Sequence, residues 1–249
     1  ELYSGIKGNA VLSGGYLVYQ VSAEEIDSLQ SILNEAAEVA TEDCPCKIII
    51  EPGTYTLSKT LRISSNTYLY MQGVTFQQPN GASRNMLKVG INTGDESGYC
   101  YKNITLYGGT WDKNGNTGSS VIKVGHAANF RMQNVTVENV ENGHLMEAAG
   151  INGFYIKNCY FLNQTINTAT MTSTVPVYEA IQLDILEATH SKGYTSEDLK
   201  NQNITVDSCT FQNVPRGVGN HTSILNNPTE NVKISNNIFE NISDVAIRC

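Results

Sequence analysis

The chain has 249 residues, a net charge of −8 and 16% charged against 40% hydrophobic residues, with 27 asparagines beside 21 glycines and 13 tyrosines. Aromatic and β-branched residues are too plentiful for a disordered chain, and the weak helix formers Asn, Gly, Thr and Tyr are too plentiful for a helical bundle. So acidic a chain makes a poor non-specific nucleic-acid binder, since that affinity comes from neutralising phosphates, and no run approaches the roughly 18 apolar residues of a membrane span.

The chain opens at Glu1 with no basic and apolar leader pattern, which fits a processed or trimmed product. Ser22 with Glu25 reads as a capping box. Ile26, Leu29, Leu33, Ala36, Ala37 and Ala40 then follow helical spacing, which predicts an amphipathic helix over about 24–40 inside a cap of about 22–41. Residues 47–57 (KIIIEPGTYTL) read as a first strand, a Pro-Gly turn and a second strand. Cys44 and Cys46 form a C-x-C, a weak metal signal, and a loop with free or locally oxidised thiols is the better reading. The disulfide state of Cys44, Cys46 and Cys100 stays open.

From residue 103 the chain repeats itself. Residues 103–113 (NITLYGGTWDK), 129–139 (NFRMQNVTVEN), 153–163 (GFYIKNCYFLN), 203–213 (NITVDSCTFQN) and 231–241 (NVKISNNIFEN) share one template, and 68–78 is a weaker copy. A period near 25 residues built from short alternating strands is a solenoid whose coils bury each other's apolar faces. The long step between 153 and 203 is one coil with insertions near 164–176 and 186–201. Ile104, Phe130, Phe154, Ile204 and Val232 should stack as one ladder, and Trp111, Val137, Phe161, Phe211 and Phe239 as another. Asn134, Asn158, Ser208 and Asn236 occupy a turn column suited to left-handed backbone, their amides bonding to the next coil's backbone. Cys159 and Cys209 read as stacked buried thiols. Six N-x-S/T sites occur, at Asn103, Asn134, Asn163, Asn203, Asn220 and Asn241, and those inside the template read as ladder residues rather than glycosylation marks.

The cap helix, the IIIEPGTYTL segment, residues 61–69 (LRISSNTYL) and the repeats together resemble the right-handed parallel β-helix proteins of the pectin-lyase-like superfamily. The resemblance covers nearly the whole chain. It implies an all-β, right-handed, single-stranded parallel β-helix with an N-terminal capping helix, in one domain of residues 1–249 whose coils run from about 47 to 249. The chain stops at Cys249 inside an expected strand, so further C-terminal coils, or another chain, are expected to cover that end.

A second strand follows each repeat, and these strands align. Ile122, Met146, Ile181, Val218 and Ile247 form the buried column, so their neighbours point outward. The outward column reads Lys88, Lys123, Glu147, Gln182, Gly219 and Arg248. Two residues on it reads Gly125, Ala149, Asp184 and His221, and His144, Glu179 and Arg216 stand at the strand entrance. Such a mixed-charge face is a candidate groove. Parallel strands about 4.8 Å apart with about 6.6 Å per residue pair put Glu147 and Asp184 about 8 Å apart. Inverting glycosidases space their carboxyls roughly 6.5–9.5 Å.

The resemblance to polygalacturonase-like hydrolases rests on Glu179 and Asp184 where acids would come, on 216–221 (RGVGNH) where the histidine would come, and on Ile247-Arg248 near the basic motif. The family's N-T-D and D-D motifs are absent. The first reading is therefore an extracellular or cell-surface enzyme that hydrolyses a polysaccharide containing acidic sugars. Glu147 and Asp184 form its acid/base pair, Glu179 and His221 assist, and Lys88, Lys123, His144, Gln182, Arg216 and Arg248 bind the sugar. That reading needs no cofactor. A lyase acting by β-elimination is an alternative, and calcium enters only there. A non-catalytic adhesin or glycan-binding module using the same face is the other alternative.

Overall fold

The computed structural model describes residues 10–171 and 178–248; Cys249 and the later part of the 164–176 insertion lie outside the described residues. Coils stack in the register that the repeat demands. Phe130 pairs with Ile104 and Phe154, Phe154 with Ile204, and Ile204 with Val232. Trp111, Val137, Phe161, Phe211 and Phe239 form the second ladder in the same way. The register of Phe154 with Ile204 makes everything between them one expanded coil.

Each coil lays one short strand on each of three faces, so backbone groups pair with the coils on either side and side chains alternate inward and outward. The first face holds Leu61–Ile63, Leu87–Val89, Glu179–Asp184, Arg216–Gly219 and Val245–Arg248, with the opening halves of the long strands Ile122–Gln133 and Met146–Lys157. The closing halves of those two strands bend onto the second face, beside Tyr16–Val21, Cys46–Ile50, Thr67–Tyr70, Tyr101–Tyr107, Gln202–Asp207 and Glu230–Ser235. A separate seven-stranded sheet from Gly53–Thr56 to Ile238–Glu240 makes the third face. This is the parallel β-helix expected.

Inward residues fill the lumen. Phe161, Phe211 and Phe239 stack with centroids 5.0 and 4.9 Å apart. Burying one such ring is worth about 1.5–3 kcal/mol. Val232 and Ile247 are 43% and 40% exposed, because no coil follows theirs among the described residues.

The asparagines do more than the turn column predicted. Asn134, Asn158 and Asn236 do take left-handed backbone, but so do Asn103, Asn129, Asn203 and Asn231 at the strand starts and Asn139, Asn163, Asn213 and Asn241 at the far corner. In these flanking columns each amide donates to the side chain one coil back, not to its backbone, and that side chain is an Asn in every case but Asn139, which donates to Asp112 at 2.8 Å. Asn129 donates to Asn103 at 2.7 Å, Asn163 to Asn139 at 3.1 Å and Asn213 to Asn163 at 3.0 Å. Equivalent side chains stack at the coil spacing, so side chain meets side chain first. Cys159 and Cys209 are free and buried, with the Cys159 N–H donating to Cys209 Sγ at 3.4 Å.

The N-terminal cap differs in two ways. The first turns, Ala23–Ser28, wind as 3-10 helix before the α-helix Leu29–Val39. The Glu25 N–H closes on Ser22 O, while its carboxylate accepts from the Ser22 N–H at 3.1 Å and hydroxyl at 2.9 Å. Those reciprocal bonds draw the start into the tighter spiral. The parallel sheet also begins before the cap, with Tyr16–Val21 paired to Cys46–Ile50, rather than at residue 47. Its hairpin partner Val11–Ser13 turns through Gly14 and Gly15, both at positive φ. The helix covers the lumen with Leu29, Leu33 and Ala36. Gln30 finishes the exposed edge at Arg62, accepting its N–H at 2.7 Å and donating to its carbonyl at 3.2 Å.

Candidate functional site

The first face carries the predicted columns in register. Lys123 lies between Lys88 and Glu147, Glu147 beside Gln182, Gln182 beside Gly219, and Gly219 beside Arg248. Asp184 pairs with Ala149, one strand over and two residues on from Glu147, which is the diagonal expected.

Exposure corrects the picture of an open groove. Lys88, Lys123, His144, Glu147, Glu179, Gln182 and Asp184 are all buried, and Glu179 has no exposed surface. The 186–201 insertion folds back over the outward column. The Tyr194 hydroxyl donates to Val89 O at 2.8 Å, and its ring lies over the coil of Gly125, where a Cβ would come within 2.6 Å of a ring carbon. Leu186, Tyr194 and Ala149 form a small apolar cluster of their own. A second loop, residues 90–100, is clasped to this cover. Glu96 accepts from the Thr195 N–H at 3.0 Å and hydroxyl at 2.7 Å. His126 faces Gly98 O and Thr195 O, each at 2.9 Å, so both its nitrogens must carry protons for both bonds to form.

Lys88, read as a sugar ligand, is engaged within this cover instead. Its ammonium donates to Gly193 O at 2.6 Å and Thr93 Oγ1 at 3.1 Å, and sits 4.2 Å from the Tyr194 ring centroid. Burial, with Arg62 and Lys123 nearby, pushes it down to about 8. Lys123 is spent on Glu147, at 2.8 Å, and Ser120 donates to the other Glu147 oxygen at 2.6 Å.

Glu179, given only a supporting part, is the centre of the cluster. Arg216 Nη1 lies 3.1 Å from Oε1, His221 Nε2 2.6 Å from Oε2, and His144 Nδ1 3.9 Å from Oε2. The His221 contact is close but off the axis of a good hydrogen bond. His144 Nδ1 also bonds the Glu179 carbonyl at 2.9 Å. Burial pushes the Glu179 carboxyl up, but His221, His144 and Arg216 outweigh it and hold the group below its ordinary value. Burial holds His144 below its ordinary value against the pull of Glu147 and Glu179.

His221 therefore pairs with Glu179, not with Asp184 as their shared column suggested. Asp184 is met by His190, Nδ1 to Oδ1 at 3.4 Å, and by its neighbour's Ile185 N–H at 2.9 Å. Burial, with Glu147 adding repulsion, raises Asp184 to about 6. Arg248 is exposed at the last strand of the face.

The residues sequence reasoning missed are Ser120, His190, Tyr194 and Asp244, the last sharing Arg216 with Glu179. A signal for Tyr194 existed. The outward pair Gly125 and Ala149 is conspicuously small, as a surface must be where a ring lies on it. Among the described residues, no group of three or more His, Cys, Asp or Glu is placed to hold a metal ion. Glu147, Glu179 and Asp184 each face a different basic partner, Lys123, Arg216 and His190 in turn. No helix of the described residues is long and apolar enough to cross a membrane.

No protein-family profile matches the sequence. Plasmin and fibronectin-binding protein A of Streptococcus pneumoniae is 23% identical over 232 residues, 79% of this chain and 31% of that protein. The chain thus spans about a third of the curated relative it matches. The crystal structure of PfbA, a surface adhesin of Streptococcus pneumoniae, superposes with a TM-score of 0.67 and 19% identity over 88% of this chain and 56% of that one. An iota-carrageenase from A. fortis aligns over 85% of this chain and 56% of that one at 12% identity, but its TM-score of 0.29 carries no argument. The likeness to the adhesin is one of fold.

Proposed function

We propose that the chain is the β-helix of a cell-surface adhesin, a binding module rather than a polysaccharide-cleaving enzyme. One observation carries this reading. The groups that would do chemistry on the first face are already engaged with one another under a folded cover, with Lys123 on Glu147 and Arg216 and His221 on a fully buried Glu179. The likeness to a surface adhesin points the same way, and fibronectin and plasmin, named for that relative, are the first partners to test. The test is surface plasmon resonance of the purified chain on immobilised fibronectin and plasmin, run beside a panel of uronate and neutral polysaccharides. Saturable protein binding with neither new reducing ends nor absorbance near 235 nm supports the adhesin.

A hydrolase is the second reading, and Asp184 favours it. A carboxyl held up at about 6 beside a second carboxylate stays protonated into mildly acidic solution, as a general acid must. Reducing ends released by the wild type and lost in both Asp184→Asn and Glu147→Gln would establish that reading and overturn the first.

A further inference from the structure

We infer that the second face carries a binding stripe for an extended acidic glycan, a carboxylated or sulfated polysaccharide laid along the helix axis. This deepens the adhesin reading and rests on it, but uses a face apart from the covered charge cluster.

Strand register places Lys47, Tyr68, Arg131, Tyr155 and Lys233 in a single outward column, with Thr105 and Thr205 in the intervening coils. Six strand spacings of about 4.8 Å give the column a length of about 29 Å. The parallel column two residues on contributes Tyr70, Tyr107 and Lys157. Aromatic rings and cations interleave along it. Lys47 Nζ lies 4.3 Å from the Tyr70 centroid, Tyr70 and Tyr107 stand 5.4 Å apart, and the Arg131 guanidinium is 4.5 Å over Tyr155. Toward the C-terminal coils the face dips into a depression of about 400 Å³ lined by Arg131, Tyr155, Lys157 and Lys233.

Arg131 donates its Nε–H to Asn129 Oδ1 at 2.9 Å and keeps its terminal N–H groups for a ligand. The Lys and Arg ion pairs among the described residues are those of Lys123, Lys200 and Arg216, so the four cations of the stripe have no carboxylate partner there. The one acid in the depression, Asp207, is occupied by the Ser235 hydroxyl and the Asn236 amide, each at 2.8 Å. Five other tyrosines, Tyr19, Tyr55, Tyr99, Tyr101 and Tyr194, donate their hydroxyls within the protein. Those of Tyr68, Tyr70, Tyr107 and Tyr155 make no such bond among the described residues.

Four unpaired cations on one flat face of a chain of net charge −8 select an anion. The form of the anion follows from the backbone. The strands of the stripe are paired on both sides except the last, Glu230–Ser235, and a peptide extending that edge would run along the strand, across the column rather than down it. A glycan needs no edge. Its apolar ring faces stack on tyrosine, its hydroxyls reach the phenols and threonines, and its acid groups meet the lysines and arginine.

The test is affinity electrophoresis and calorimetry of the chain with heparan sulfate and polygalacturonate oligosaccharides, using dextran, poly-glutamate and single-stranded DNA as comparators. Both acidic glycans, or one of them, should bind and weaken with salt, while dextran does not. The Arg131→Ala/Lys157→Ala/Lys233→Ala variant should bind at least about tenfold more weakly, with its unfolding midpoint unchanged. Tyr70→Ala should lose affinity and Tyr70→Phe should largely keep it. The inference fails if neither acidic glycan binds, if the triple variant binds like wild type, or if poly-glutamate or DNA binds as tightly. Fibronectin and plasmin binding, measured on the same variants, separates this failure from that of the adhesin reading, which does not depend on these four cations.

Discussion

His221 places Nε2 2.6 Å from Oε2 of Glu179, a carboxylate with no exposed surface. Together with Arg216 on the other oxygen, this makes Glu179 an anion that exists only because its partners surround it. Removing the carboxylate should leave Arg216 and His221 half-enclosed and facing each other. Glu179→Leu is expected to cost about 3 kcal/mol in urea unfolding. The pH dependence has a definite sign. A carboxyl whose folded value is lowered stabilises above its unfolded value and loses that contribution as pH falls through the folded value. The stability gap between wild type and Glu179→Gln should therefore be full at pH 7 and shrink below pH about 4. A gap that widens on acidification contradicts the pairing.

Asp184 should behave in the opposite sense. Its carboxyl is raised to about 6 from 3.8, so its contribution is present below 3.8 and lost as pH rises through 6. Asp184→Asn keeps an oxygen for the Ile185 N–H and removes the charge. The variant should gain stability relative to wild type between pH 4 and pH 7. Chemical denaturation at both pH values checks this, and a constant difference refutes it.

Tyr194 and Gly125 form a second coupled pair. A Cβ at Gly125 would meet the Tyr194 ring at 2.6 Å. Gly125→Ala should destabilise by about 1–3 kcal/mol and expose the 186–201 segment to limited proteolysis. In the Tyr194→Ala background the same substitution should cost almost nothing, giving a clear coupling in a double-mutant cycle. Additive costs would mean that the ring does not form the cover.

Asn163 tests the ladder. It sits at φ 56°, donates to Asn139 and accepts from Asn213. Asn163→Ala should cost about 2–3 kcal/mol, combining left-handed strain with two lost bonds. Asn163→Gly should recover the strain component. Equal costs in both variants would show that the hydrogen bonds alone matter.

The architecture was legible because a solenoid writes its register into the sequence. Each coil must supply the same inward residue at the same place, so Phe130, Phe154, Phe161 and Phe211 recur at the coil period, and the repeat alone aligned the strands of the first face correctly. The asparagines were legible as corner residues for the same reason, since only a few side chains accept left-handed backbone. The insertions carry no period. Nothing in residues 186–201 announces that Tyr194 lies on Gly125 or that Thr195 clasps Glu96, because those contacts join segments 69 and 99 residues apart through non-repeating loops. Alternation decides which residues leave the lumen, but not whether they then meet solvent or another layer of protein. The pairing of His221 with Glu179 instead of Asp184 has the same origin. Register assigns a column to each Cα, while side-chain reach and the charges around it decide which partner is met. The sequence by itself determined the β-helix, its ladders and its charged face. Only the tertiary structure decided that the middle of this face is closed over Lys88, Lys123, Glu147 and Glu179, and that the unpaired aromatic and basic groups lie on the next one.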